Sequence, residues 1–301
     1  MRAYSLLKQT RPVLLSLMLA TAGTAHADLF GGLGKILENS GDARTTKLGN
    51  ILTTTHKAFG EMSDEQEREV GAQAAAVLLE AAPPLDNDGV QRYVNRVGNW
   101  VALQGERPNL QWRFAVLDDN DINAFAAPGG YVFITKGLLM RMQSEAELAG
   151  VLAHETVHVL RKHHLAAVQK GARMDLASLV AGEAVRDDQR RAQMEKITGG
   201  FKELYSRGLD KEDEHEADRM GVVIAARAGY DPYGLPAVLQ MLGAMNPKDG
   251  ALAFMFKTHP APALRIERLA PVLDRLEPYA AQPQVRDRFQ AQLATITKDA
   301  K

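Results

Sequence analysis

The sequence predicts an α+β fold that is mostly helical, with one small β-sheet beside a helix that carries a histidine motif. Three observations support this prediction. Long segments repeat apolar residues every three or four positions, as amphipathic helices do. Shorter segments with strand character fall between residues 110 and 135. The pentapeptide H-E-T-V-H at 154–158 lies inside one of the helical segments.

The first 27 residues have the features of a secretory signal peptide. Arg2, Lys8 and Arg11 form a positively charged start. Val13 to Ala22 make a short apolar core, and Ala25-His26-Ala27 is an A-x-A cleavage site. The apolar run is too short to span a bilayer comfortably, which disfavours a membrane anchor. We expect export, cleavage after residue 27, and a periplasmic protein with no stable membrane span after signal removal.

The composition narrows the class of protein. Of the 301 residues, 46% are hydrophobic and 24% are charged, as in ordinary globular proteins. There is no cysteine, which excludes disulfides, thiolate metal ligands and a lipid-bearing N-terminal cysteine. The net charge is −1 and no basic run is present, so no nucleic-acid partner is expected. Residues 28–60, rich in Gly and Thr, predict a flexible segment, which leaves 61–301 as the functional domain.

Two helices and then strands open this domain. Ser63 and Gln66 form a capping box for a helix that stops at Pro83-Pro84. A second helix is indicated by residues at i, i+3, i+4 and i+7 spacing: Val90, Tyr93, Val94, Val97, Trp100 and Val101. Strands are predicted by the alternating segment 110–116 and by 123–127 and 131–135, which flank a Pro-Gly-Gly turn.

The rest of the domain is predicted to be helical. Ser144 and Glu147 form a capping box for the helix that carries H-E-T-V-H, which we expect to continue to about Lys170. Residues 171–209 have an irregular helical pattern, consistent with a mobile cover over the site. Further helices are predicted over about 210–227 and 235–245 and from about Pro262. Only 31 residues follow Ala270, so no tetratricopeptide domain is expected.

The H-E-x-x-H motif indicates a metal site. Residues four apart on a helix share a face, so His154 and His158 can bind one metal ion. Glu155 points toward the same pocket, where it can take a proton from a metal-bound water. Imidazole and carboxylate ligands favour zinc. The alternative is a polar helix face with two surface histidines, which the strongly helical context disfavours.

A catalytic zinc site needs a third protein ligand. His164 lies six residues after His158, as in metzincins, but Arg161 stands where that pattern requires glycine. If the helix continues, His164 points about 120° away from His158. Glu214 and Asp218 offer the other arrangement, because one can bind the metal while the other supports a histidine ligand. Acidic runs of this kind are also typical of solvated helix faces.

Four motifs in this order resemble metallopeptidase family forty-eight. They are N-A-F-A-A-P-G-G at 123–130, H-E-T-V-H at 154–158, E-H-E-A-D-R-M-G at 214–221 and T-H-P-A-P-A-L-R-I at 258–266. The resemblance covers about residues 60–270 and implies a gluzincin fold. The family includes HtpX-type heat-shock proteases, the CAAX prenyl protease and soluble periplasmic proteases of the BepA and LoiP type.

The resemblance also implies a role for individual residues of the metal site. It implies one zinc ion per chain, bound by His154, His158 and Glu214. Glu155 would be the general base, and Asp218 would support a histidine ligand.

Other matching positions lie around this centre. His259 matches a histidine that can plug the open metal position or donate a hydrogen bond to the oxyanion. Arg265 is a weaker candidate for charge stabilisation. The strand residues expected to pair with an extended substrate are Asn123, Ala124, Phe125 and Ala126. The remaining nearby histidines, His163, His164 and His215, are expected to be structural or exposed.

One feature departs from the family pattern. A Ser-Arg pair usually stands two residues before the glutamate ligand, whereas Ser206-Arg207 is separated from Glu214 by six residues, which suggests an extra helical turn. The expected function is that of a zinc endopeptidase for unfolded or misassembled envelope proteins, outer-membrane proteins among them. A periplasmic chaperone or assembly factor with a mostly inactive metal site is the alternative. A purely structural metal site is disfavoured, because it has no use for a base such as Glu155.

Overall fold

The computed structural model describes residues 63–172, 198–246 and 249–298. The predicted signal peptide and flexible segment, and residues 173–197 of the predicted cover, lie outside the described residues. Two helices, α1 (Asp64–Ala81) and α2 (Asp88–Ala102), precede strands β1 (Arg113–Leu117), β2 (Ala124–Ala127) and β3 (Tyr131–Thr135). The helices that follow are α3 (Lys136–Leu139), α4 (Glu145–Leu160), α5 (His163–Ala172), α6 (198–207), α7 (Lys211–Arg227), α8 (Gly234–Ala244), α9 (Gly250–Thr258), α10 (Pro262–Leu276) and α11 (Arg286–Lys298). The predicted mostly helical α+β class is confirmed.

The three strands form one mixed sheet with the order β1-β3-β2. Strand β3 is parallel to β1 and antiparallel to β2, and Ala126 pairs with Val132. Strand β2 therefore lies at the edge of the sheet, beside α4. This is the sheet that was predicted beside the motif helix. The first strand begins at Arg113, three residues later than the alternation from Leu110 indicated.

Helix α4 is the centre of the domain. All of its residues are buried, and it packs against α7, α8, α2 and the sheet. A helix surrounded on every side must be apolar around its whole circumference, which explains its low amphipathicity. Its polar side chains are therefore exceptions that need a specific partner or a ligand. Within the described ranges, no helix has both the length and the apolar character required to cross a membrane.

The prediction that α4 continues to about Lys170 is wrong. The helix ends at Leu160, and Lys162 adopts a left-handed backbone with φ 57° before α5 begins. This conformation is unfavourable for a residue with a side chain. It is stabilised by an ion pair of 3.2 Å between Lys162 Nζ and the buried carboxylate of Glu67, which also binds Arg107. The turn brings the two histidines after Lys162 back toward the motif.

Several local predictions can now be compared with the structure. The capping box of α1 at Ser63 and Gln66 is confirmed. At α4, Ser144 caps the Glu147 N–H as expected, but the Glu147 carboxylate accepts from the N–H of Gln143 instead of closing the box. No helical turn is added before α7: α6 ends at 207, and Gly208 breaks the chain with φ 82°. Helices α3, α9 and α11 were not predicted.

Candidate active site

Two histidines and a glutamate meet at the contact between α4 and α7. The Nε2 atoms of His154 and His158 lie 3.1 Å apart. The Glu214 carboxylate approaches them from α7, with its oxygens 3.6 Å from the first Nε2 and 3.5 Å from the second. Gly221 permits this approach, because a Cβ there would lie 3.1 Å from the backbone of His154. The structure thus brings the three predicted metal ligands together.

The donor atoms of this cluster fit a divalent cation. Among the described residues, the buried Oε2 of Glu214 has no hydrogen-bond partner. Burial lowers the pKa of His158 well below its usual value, which leaves a neutral imidazole. Burial opposes ionisation of Glu214, but the imidazoles of His259, His154 and His158 beside it outweigh burial and hold the pKa of this carboxyl well below its usual value. Two imidazoles and an unpaired carboxylate are a donor set that zinc prefers.

Asp218 and Arg265 orient the first histidine. Asp218 Oδ1 lies 3.0 Å from His154 Nδ1, so the imidazole can donate its Nδ1 proton and keep Nε2 free. Arg265 holds the same carboxylate with two hydrogen bonds of 2.6 and 2.9 Å, and both side chains are at least 95% buried. The structure shows that Arg265 anchors Asp218. Its weaker candidacy for charge stabilisation during the reaction stays a prediction.

His163 orients the second histidine, His158, as Asp218 orients His154. Its Nδ1 lies 2.9 Å from His158 Nδ1, and its Nε2 lies 3.4 Å from a carboxylate oxygen of Glu216. His158 can therefore donate to His163, which in turn donates to Glu216, and the metal-facing Nε2 of His158 stays unprotonated. The description of His163 as structural or exposed missed this contact, because it depends on the left-handed turn at Lys162.

His164 also differs from its prediction. The argument that it points away from the site assumed a continuous helix, and that helix ends before it. The side chain is buried at the wall of the cleft, with its ring centre 5.5 Å from that of His158. Burial lowers the pKa of His164 to about 3, so it is a neutral group.

The contact between His163 and His158 leads to a first prediction. The substitution His163→Leu is expected to weaken zinc affinity by about 10- to 100-fold, the usual cost of losing a group that orients a ligand. His163→Asn should retain part of the affinity, since its side-chain oxygen can accept from His158. Competition against a chromophoric zinc chelator measures this directly.

The matched control is His215→Leu. This residue is also a buried histidine, and its Nδ1 has no hydrogen-bond partner in the described part of the chain. The His215→Leu variant should therefore bind zinc as tightly as the parent protein. Equal affinities for His163→Leu and His215→Leu would contradict the orienting role of His163.

Glu155 faces a narrow cleft beside the metal ligands. Its side chain is 4% exposed, and burial raises its pKa to about 7, which suits a group that exchanges protons near neutral pH. His259 enters the cleft from the end of α9, with Nε2 3.7 Å from Glu214 Oε2. Ligand atoms of His154, Glu214 and His259 all lie within 4.8 Å of one another. The structure therefore places His259 close enough to join the metal ligands.

Strand β2 forms one wall of the cleft. Ala124 and Phe125 of this strand line the cleft together with the preceding Asn123, and their contact with substrate stays a prediction. Ala126 is fully buried, and its carbonyl accepts a 2.9 Å hydrogen bond from the hydroxyl of Tyr205. Water-sized molecules can occupy about 30 Å³ of the cleft, which is room for roughly two waters. A substrate chain therefore requires the cleft to widen.

A family profile and individual relatives both assign the chain to one peptidase family. Residues 88–272 match the profile of Peptidase family M48. The chain is 29% identical over 256 residues to a putative beta-barrel assembly-enhancing protease of Vibrio cholerae, covering 81% of the chain and 52% of that relative. For the beta-barrel assembly-enhancing protease of Escherichia coli the identity is 25%, covering 75% of the chain and 47% of the relative. The chain therefore spans about half the length of these bacterial relatives.

A mitochondrial relative matches more of its own length. The mitochondrial metalloendopeptidase OMA1 of Schizosaccharomyces pombe is 31% identical over 240 residues. That match covers 78% of the chain and 69% of the relative.

Proposed function

Because this chain belongs to peptidase family M48, we propose that it is a zinc-dependent endopeptidase that hydrolyses unfolded or misassembled proteins of the cell envelope. One observation carries the proposal. Two histidine Nε2 atoms and a buried, unpaired carboxylate oxygen converge directly beside Glu155, a carboxyl group whose pKa is about 7. A structural metal site has no need of that base. The test is zinc content together with cleavage of an unfolded reporter.

The residues that would hold zinc are His154, His158 and Glu214, with Asp218 and His163 fixing the two imidazoles. When bound there, zinc would act as a Lewis acid that polarises the scissile carbonyl and makes a water molecule more acidic. The protein supplies the rest: a buried cleft, an oriented set of donors and a base within reach.

Glu155 moves the protons. It takes one proton from the attacking water as the water oxygen adds to the carbonyl carbon, and it delivers that proton to the leaving amine as the C–N bond breaks. A carboxyl group with a pKa near 7 can both accept and return a proton at neutral pH. The reaction proceeds without a covalent enzyme intermediate.

Strand β2 holds the substrate in an extended form. It is an edge strand, so the part of its outer edge that Tyr205 does not occupy at Ala126 can pair with a peptide backbone by β-augmentation. Such pairing reads main-chain atoms, which any unfolded segment presents and a folded protein hides. An assignment to envelope quality control in the periplasm is supported by the predicted signal peptide and by bacterial relatives named beta-barrel assembly-enhancing proteases. Outer-membrane proteins are the substrates that these names favour.

His259 distinguishes an active peptidase from the second candidate, a chaperone or assembly factor with a mostly inactive site. The narrow cleft and the position of His259 beside Glu214 favour a resting state in which this side chain occupies the open metal position. If His259 occupied that position tightly, the protein would bind its clients but cleave them little, as the chaperone candidate requires.

The substitution His259→Ala is expected to raise the rate of reporter cleavage about tenfold, because loss of a contact worth about 1.4 kcal/mol shifts such an equilibrium tenfold. Lys257→Ala, an exposed neighbour on α9, is the control and should leave the rate unchanged. An unchanged rate for His259→Ala would refute the plug. A lower rate would assign His259 to oxyanion stabilisation instead.

A further inference from the structure

One buried carboxylate on helix α1 joins two turns that flank the candidate active site. Glu67 is fully buried, and both of its oxygens have partners. Oε1 accepts a 3.0 Å hydrogen bond from the N–H of Gly129, and Oε2 forms the 3.2 Å ion pair with Lys162 Nζ. Arg107 donates to both oxygens, at 3.1 and 3.0 Å. A buried charge is costly unless it is paired and hydrogen-bonded, and Glu67 meets that condition with donors from three separate segments of the chain.

The Lys162 side of this carboxylate bears on the second histidine ligand. Lys162 has φ 57°, a conformation that is unfavourable for a residue with a Cβ. The next residue, His163, has its Nδ1 2.9 Å from that of His158. If the turn relaxed to an ordinary backbone conformation, His163 would leave this position. The ion pair with Glu67 therefore acts on the metal site through two intervening residues.

The Gly129 side of the carboxylate bears on the edge strand. Strand β2 ends at Ala127, two residues before Gly129. Helix α1 lies against this turn without space for a side chain, since a Cβ on Gly71 would lie 1.8 Å from the carbonyl oxygen of Pro128. The hydrogen bond from the Gly129 N–H to Glu67 locks that close contact in one arrangement. The strand proposed to pair with substrate is thereby fixed at its C-terminal end.

We infer that Glu67 is a positioning residue for both halves of the active site. Its Oε2 acts on the metal half, because Lys162 keeps His163 beside His158. Its Oε1 acts on the substrate half, because it holds Gly129 at the end of strand β2. The inference rests on the proposed peptidase function and adds to it a residue of α1 that acts only through others.

Two substitutions at Lys162 test the metal half. Lys162→Met and Lys162→Gly both remove the ammonium group and leave Glu67 paired with Arg107, so both variants should fold. Only glycine adopts the left-handed conformation without strain. We expect Lys162→Met to weaken zinc affinity about tenfold and Lys162→Gly to bind zinc as the parent does. Competition against a chromophoric chelator measures both, and equal affinities for the two variants would overturn this half of the inference.

Two substitutions at Glu67 separate its two oxygens. Glu67→Gln keeps an oxygen that can accept from Gly129 but loses the ion pair with Lys162, whereas Glu67→Leu loses both contacts. Zinc affinity should fall about tenfold in each, and Lys162→Gly should restore it in the Glu67→Gln protein. Failure of that rescue would contradict a route through the turn.

Peptide binding tests the substrate half. A labelled unfolded peptide is titrated at saturating zinc into proteins that also carry Glu155→Gln, so that binding is measured without cleavage. Its affinity should fall about tenfold in Glu67→Leu, which leaves the Gly129 N–H without its acceptor, and should be unchanged in Glu67→Gln. Equal peptide affinities for the two variants would refute a role for Glu67 in fixing the strand.

The matched control is Glu145→Gln. Glu145 is also fully buried and also paired with an arginine, Arg288. It begins helix α4 nine residues before His154, which is about 13 Å along a helix. Its loss should cost comparable stability while zinc and peptide affinities match the parent. If Glu145→Gln weakens zinc binding as much as Glu67→Gln, Glu67 serves the fold alone and the inference is wrong.

These affinities separate the inference from the proposed function. If the zinc-loaded parent cleaves no unfolded reporter, the peptidase proposal fails, and the zinc and peptide affinities still decide the role of Glu67. If the parent cleaves the reporter while every variant binds zinc and peptide as the parent does, the positioning role fails and the peptidase proposal stands.

Discussion

The substitution Glu155→Gln is expected to abolish nearly all cleavage while leaving zinc binding intact. A positioned general base contributes about 100- to 10,000-fold to a rate, so kcat for an unfolded reporter should fall by about that factor. The amide has the size of the carboxyl group but cannot accept the proton of the attacking water. Glu155 lines the cleft beside the ligands and is not one of the three groups that converge on the metal position.

The neighbouring residue supplies the control for this experiment. Thr156 lies on the same helix and is fully buried, and its hydroxyl has no hydrogen-bond partner in the described part of the chain. Thr156→Val should therefore keep both zinc and activity. About one zinc per chain in all three proteins, with cleavage lost in Glu155→Gln alone, is the expected result.

Two other results would change the conclusion. Retained cleavage by Glu155→Gln would show that another group is the base. Stoichiometric zinc without cleavage in any of the proteins, the parent included, would favour the chaperone or assembly factor, and the His259→Ala variant then becomes the deciding measurement.

Features encoded within one turn of helix were predictable from the sequence. The capping box at Ser63 and Gln66 satisfies N–H groups three residues apart. The spacing of His154 and His158 places both imidazoles on one face, whatever surrounds the helix. Glu214 and Asp218 follow the same rule, and the structure places each beside His154. Such features depend on local geometry, so a sequence displays most of them directly; the box predicted at Ser144 and Glu147, which forms only in part, is the exception.

The features that were missed depend on contacts distant in sequence. The turn that brings His163 to His158 requires a left-handed Lys162, which pairs with Glu67 nearly a hundred positions earlier. The ion pair between Asp218 and Arg265 joins residues 47 positions apart. Periodicity and spacing carry no information about such pairings. The family motif did mark Arg265, but its partner and therefore its role appear only in the folded chain.

That ion pair is the basis of the largest expected effect on stability. Asp218 and Arg265 are 1% and 5% exposed, and two hydrogen bonds join them. Removal of Arg265 leaves Asp218 as a buried carboxylate whose remaining partner is the His154 imidazole, and loss of one member of a buried ion pair costs about 3–5 kcal/mol. We therefore expect Arg265→Leu to lower the free energy of unfolding by this amount and Tm by roughly 10 °C. Arg268 is an exposed residue on the same helix, and Arg268→Leu should change the free energy of unfolding by less than about 0.5 kcal/mol.

A double variant separates the two consequences of this pair. In Asp218→Leu with Arg265→Leu no charge is left unpaired, and apolar replacements of buried ion pairs are often neutral. Stability by denaturant titration should therefore return close to that of the parent. Zinc affinity should remain about 10- to 100-fold weaker, because His154 has lost the carboxylate that fixes its free Nε2. Full recovery of zinc affinity in the double variant would show that Asp218 serves the fold alone.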